Sequence, residues 1–77
     1  MDELGGLKIA FIGSGTMAEA MIQALLRAEE VTPGQIVASG PRAARGEELE
    51  ARYGVHATTA NVAAASESDI VVLSVKP

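Results

Sequence analysis

Three observations on this 77-residue chain predict a doubly wound α/β fold, specifically the first half of its parallel sheet. Short apolar runs alternate with longer segments patterned at helical spacing. The connections between them are only a few residues long, and a Gly-x-Gly-x-x-Ala turn at residues 13–18 joins the first run to the first helical pattern. Nearly continuous apolar strands suit a sheet covered on both faces. Right-handed crossovers then give the strand order 3-2-1-4.

Each element follows from its residues. Residues 1–6 read as a short flexible tail, and residues 7–12 as the first strand. A helix runs from 15 to about 28, with Met17, Met21, Ala24, Leu25 and Ala28 along one stripe and Glu19, Gln23 and Arg27 turned away. The methionines of that stripe belong to the core, except Met17 in the first turn. Thr32-Pro33-Gly34 breaks the chain before a second strand at 35–39, built on Ile36 and Val37. After the loop Gly40-Pro41-Arg42, residues 43–53 form a helix with Leu49 and Tyr53 inward and Glu47, Glu48 and Glu50 in solvent. Gly54 supplies the left-handed residue that commonly ends a helix. Residues 55–57 make a minimal third strand holding His56 as a partly buried structural residue. Residues 61–66 form a short helix, and Asp69 opens a fourth strand at 70–75.

Composition excludes several classes of function. One domain is the most that this length allows, and a chain so short buries only roughly 60% of its unfolded surface. There is no cysteine, and the lone His56 cannot assemble a metal site by itself. A net charge of −4 argues against binding nucleic acid through its phosphates. Phe11 and Tyr53 are the whole aromatic complement, so a base-stacking platform is absent too. No apolar run reaches the ~20 residues of a membrane span. No secretion signal is evident, and a cytoplasmic protein is the expectation.

The glycine turn carries the chemistry. Gly13 allows the tight turn out of the strand, Gly15 lets backbone approach a pyrophosphate, and Ala18 lets the helix pack close to the strand. Free N–H groups and the positive end of the helix dipole then face two phosphates, so the expected partner is a dinucleotide in a Rossmann-like site. NAD-binding versions of this fold place an Asp or Glu about 20 residues past the glycines. Here the second strand ends Ala38-Ser39-Gly40-Pro41-Arg42, with no carboxylate to repel a phosphate. Ser39 offers a hydroxyl and Arg42 a forked cation, so NADP(H) is favoured, with NAD(H) still open. Arg45 offers a second cation. The alternative is that both arginines are solvated residues at a helix start.

With these residues placed, the sequence resembles the pyrroline-5-carboxylate reductase family. The likeness rests on Phe11-Ile12-Gly13-x-Gly15-x-Met17-Ala18-x-Ala20 and on Asp69-Ile70-Val71-Val72-Leu73-Ser74-Val75-Lys76-Pro77, with Tyr53-Gly54-Val55 and Thr59-x-Asn61 between. That resemblance implies reduction of the cyclic imine 1-pyrroline-5-carboxylate to proline with NAD(P)H, in proline biosynthesis. It implies that Ile12, Gly13, Ser14, Gly15, Thr16 and Met17 form the turn under the pyrophosphate, Ser14 and Thr16 acting through their backbone. Ser39 and Arg42 are implied at the 2′-phosphate end and Asn61 at the adenosine portion, though Asn61 also suits a helix cap. Ser74, Val75, Lys76 and Pro77 are implied along the ribose and nicotinamide side. Lys76 also suits an exposed charge, and Pro77 a strand stop.

The family continues past Val-Lys-Pro into a helical domain that dimerises and supplies much of the imine site. The chain is therefore expected to be an incomplete dinucleotide-binding domain (7–77) lacking that helical domain, a homo-oligomer when complete, with no catalytic residue of its own. Its fourth strand is apolar on both faces and would be an exposed edge in the order 3-2-1-4, which invites pairing. The isolated chain is expected to be marginal or to dimerise there. Two alternatives stay open: a non-catalytic NADP-binding regulatory module, and the start of a β-hydroxyacid dehydrogenase or F420-dependent NADP oxidoreductase, which usually lack the closing Val-Lys-Pro.

Overall fold

Why four such short strands hold together is visible in their register. The computed structural model describes residues 6–74. Strands β1 (Ile9–Ile12), β2 (Ile36–Ser39), β3 (His56–Thr58) and β4 (Ile70–Leu73) pair in parallel in the order β3-β2-β1-β4. This is the expected order. Ile9 stands beside Ile36 and Ile70, and Phe11 beside Ala38 and Val72, so one face is apolar across three strands. Helices α1 (Thr16–Arg27) and α2 (Ala43–Tyr53) supply that face with Ala18, Ile22 and Leu49, all fully buried. The opposite face carries α3 (Asn61–Ser66) over β1 and β2, with Ala64 buried. Beyond α3, Val71 and Leu73 of β4 stand exposed among the described residues.

Several expectations shift by a residue or two. The first strand starts at Ile9 rather than at residue 7, because Lys8 is taken up in the start of the fourth: its carbonyl accepts the Asp69 and Ile70 N–H groups, and its N–H donates to the Asp69 carboxylate at 2.8 Å. Gln35 leaves the second strand for a 3-10 turn, Pro33–Gln35, whose capping box it closes with Thr32. The third strand runs one residue later than expected, and His56, next to buried Val55 and on an edge strand, is exposed, not partly buried. The expected tail, Gly6 apart, and Val75 at the end of the fourth strand lie outside the described residues.

The stripe on α1 is also corrected. Its inward residues are Ala18, Met21, Ile22, Leu25 and Leu26, whereas Ala24 and Ala28 are exposed and Met17 is 67% exposed. Small alanines satisfy helical spacing on any face, so periodicity alone misplaced the stripe by one position. Glu19 turns to the Tyr53 hydroxyl of α2 instead of solvent, while Gln23 stays exposed as expected and donates to the same hydroxyl from the surface. The ends of α1 and α2 differ in residue type, though each is followed by a residue at positive φ. Gly54 ends α2 at φ 76°, while Glu29 holds φ 58° after α1, where its N–H and that of Glu30 close onto the Leu26 and Leu25 carbonyls.

Candidate functional site

The site is built where β1 hands over to α1. Gly13 has φ 99°, a conformation that side chains disfavour, and its N–H extends the ladder to the Ser39 carbonyl at 2.7 Å. Gly15 is the N-cap of α1, and among the described residues no side chain caps the helix. The first helical N–H groups have no partner within a helix, so those of Thr16 and Met17 point out at the positive end of the dipole. Among the described residues nothing lies within 4 Å of where a Cβ on Gly15 would stand. The backbone there is open to a ligand, as the fingerprint requires.

The carbonyl side of the same turn is closed. The Ser74 N–H donates to the Ile12 carbonyl at 2.8 Å, and its hydroxyl lies 2.7 Å from the Gly13 oxygen and 3.1 Å from that of Ile12. Arg45 Nε donates to the Ser14 carbonyl at 2.7 Å, and the Glu19 N–H to that of Gly15 at 3.1 Å. Arg45 is therefore not a free cation, as the sequence suggested: its Nη2 is paired with Glu19 at 2.6 Å and its Nη1 lies 3.4 Å from Glu48. Glu19 also accepts from Arg52 at 2.8 Å and from the Tyr53 hydroxyl at 2.5 Å. The Tyr53 hydrogen bond, then Arg45 and Arg52, draw the Glu19 carboxyl down to about 2. The same bond to Glu19 raises the Tyr53 phenol.

At the far end, β2 delivers Ser39 fully buried, its hydroxyl donating to Asn61 Oδ1. Asn61 is the first residue of α3, not its cap: the cap is Ala60, with no side-chain bond. Gly40 packs so close to the turn that a Cβ on it would stand 2.3 Å from Ser14 Oγ. Arg42 is exposed, and its guanidinium has no partner among the described residues. With Ser14, Gly40, Thr58, Thr59 and Glu50 it lines a cleft of about 350 Å³ at the carboxyl ends of β2 and β3.

The structure thus brings Ile12 to Met17, Ser74 and Arg42 around one end of the sheet, and ties Ser39 to Asn61. Val75, Lys76 and Pro77 lie outside the described residues. Sequence reading missed Glu19 as the hub of an ion network, since its partner Arg45 is 26 positions away. It also missed Thr58 and Thr59, which the carboxyl-end rule for open α/β sheets could have found.

Residues 8–77 match a family described as NADP oxidoreductase, coenzyme F420-dependent. The chain belongs to this family. Within it the chain is 46% identical over 70 residues to a pyrroline-5-carboxylate reductase of Vibrio alginolyticus, covering 91% of this chain and 25% of that protein. It is 41% identical to the reductase of that name from Methanosarcina acetivorans, again over 91% of this chain and 26% of the relative. The solved structure of a pyrroline-5-carboxylate reductase from Coxiella burnetii superposes with a TM-score of 0.85 at 32% identity, over 92% of this chain and 26% of that one. The chain spans about a quarter of the length of the curated relatives it matches. The Rossmann-like half-sheet and the resemblance read from the two end motifs agree with these findings.

Proposed function

We propose that this chain is the NADPH-binding portion of a pyrroline-5-carboxylate reductase. The observation that carries the reading is the uncapped amino terminus of α1, open at Gly15, behind a turn whose carbonyls are already taken. The N–H groups of residues 14–17 bind the pyrophosphate of the dinucleotide. Arg42 meets the 2′-phosphate, which selects NADP(H) over NAD(H). Ser39, buried and committed to Asn61, holds that side chain so that its amide NH₂ faces the adenosine portion. Ser74 fixes the turn from below.

When bound, the nicotinamide supplies the hydride that reduces the imine carbon of 1-pyrroline-5-carboxylate. This chain binds and orients the cofactor, and no group among its described residues moves a proton. The imine site and the homo-oligomeric contacts belong to a helical domain of the complete enzyme. That enzyme works in the cytoplasm; no helix among the described residues is long and apolar enough to cross a membrane.

Calorimetric titration with NADPH and NADH tests the reading. Arg42→Ala is expected to weaken NADPH by about 10- to 100-fold, as for loss of a charged hydrogen bond, and to change NADH far less. Equal weakening of both would remove Arg42 from the site.

A further inference from the structure

A trans peptide unit holds its C=O and N–H in opposite directions. No peptide bond among the described residues is cis. Whatever holds a carbonyl in the glycine turn therefore aims the N–H of the next residue. The hydroxyl of Ser74, by taking the Gly13 oxygen at 2.7 Å, orients the Ser14 N–H. Arg45 does the same one unit on: its Nε takes the Ser14 oxygen at 2.7 Å, so the Gly15 N–H points away from α2. Its Nη2 meanwhile grips Glu19 at 2.6 Å, and Glu19 is fixed from the other side by Arg52 and Tyr53. The guanidinium thus spans two elements in one plane, which a single ammonium cannot do. Only 17% of the Arg45 side chain is exposed, and the groups it touches leave it little to offer an incoming phosphate.

We propose that Arg45, braced by Glu19, is a positioning residue for the pyrophosphate of the dinucleotide: it aims the Gly15 N–H and does not touch the 2′-phosphate. This rests on the nucleotide reading above. Since NADPH and NADH share the pyrophosphate, Arg45 affects both alike, while Arg42 alters the preference between them.

The test is calorimetric titration of the chain and its Arg45→Met, Arg45→Lys and Glu19→Gln variants with each nucleotide, alongside the Gly15 amide resonance of the unliganded proteins. Arg45→Met is expected to weaken NADPH and NADH by the same factor, about 10-fold, as when one well-made hydrogen bond to a charged group is lost. Arg45→Lys does not rescue, and the Gly15 amide resonance moves in both variants. Glu19→Gln, which keeps the packing, gives a smaller loss of the same kind and serves if Arg45→Met fails to fold. A selective loss of NADPH in the Arg45 variants would put Arg45 on the 2′-phosphate and overturn the proposal. Unchanged affinities in a folded Arg45→Met or Glu19→Gln protein would overturn it as well. Absence of binding by the unsubstituted chain overturns the nucleotide reading itself, and this inference with it.

Discussion

On the carbonyl side of the glycine turn, Ser74, Arg45 and the Glu19 amide occupy the oxygens of residues 12–15. On the amide side, Gly13 pairs with Ser39, and the turn then opens into an uncapped helix with space in front of Gly15. The difference teaches how an acidic chain can present aligned backbone donors almost without cations. With every acceptor satisfied in advance, the peptide planes cannot rotate their amides inward. The donors are therefore aligned before a ligand arrives, which lowers the ordering cost of binding. The two arginines divide along the same line: Arg45 belongs to the closed side, and Arg42, three residues earlier, stands in the cleft.

Blocking the open side has the largest expected effect. In Gly15→Val the extended backbone of Gly15 suits a β-branched residue, and its side chain enters empty space. The fold should survive, while affinity for both nucleotides falls about 100-fold or more, as for loss of two charge-assisted hydrogen bonds; calorimetry and a thermal melt together check this. Loosening the closed side does less. Ser74→Ala should weaken both nucleotides by about 5-fold, the worth of one neutral hydrogen bond, and a selective loss of either would contradict that.

Acid titration sharpens the comparison further. The Glu19 carboxyl is drawn from its ordinary 4.5 to about 2 by the Tyr53 hydrogen bond and by Arg45 and Arg52. A group whose pKa is depressed on folding stabilises above its unfolded value and loses that contribution as pH falls. The melting temperature should therefore decline as pH drops from about 4.5 toward 2, and Glu19→Gln should flatten that decline. Parallel curves for the two proteins would show that the network is not what titrates.

Much of this was legible in the residues. Gly13, Gly15 and Ala18 announced the turn, and the apolar runs at Ile9 and Ile70 announced strands in the order later observed. Helix α2 and the short α3 fell where their composition put them. What sequence could not show were contacts between distant side chains. Arg45 reads as a spare cation until Glu19 and the Ser14 carbonyl are seen beside it. Ser39 reads as a hydroxyl offered to the 2′-phosphate until it is seen fully buried and donating to Asn61. The stripe of α1 slipped by one residue because alanine is at home on either face of a helix.

The most direct test is to follow the backbone amide resonances of the isotope-labelled chain as NADPH is added. The account predicts that Ser14, Gly15, Thr16 and Met17 move first and furthest, and that Gly13, already bound to Ser39, moves little. Amides of the turn that stay in place while resonances elsewhere shift would contradict it.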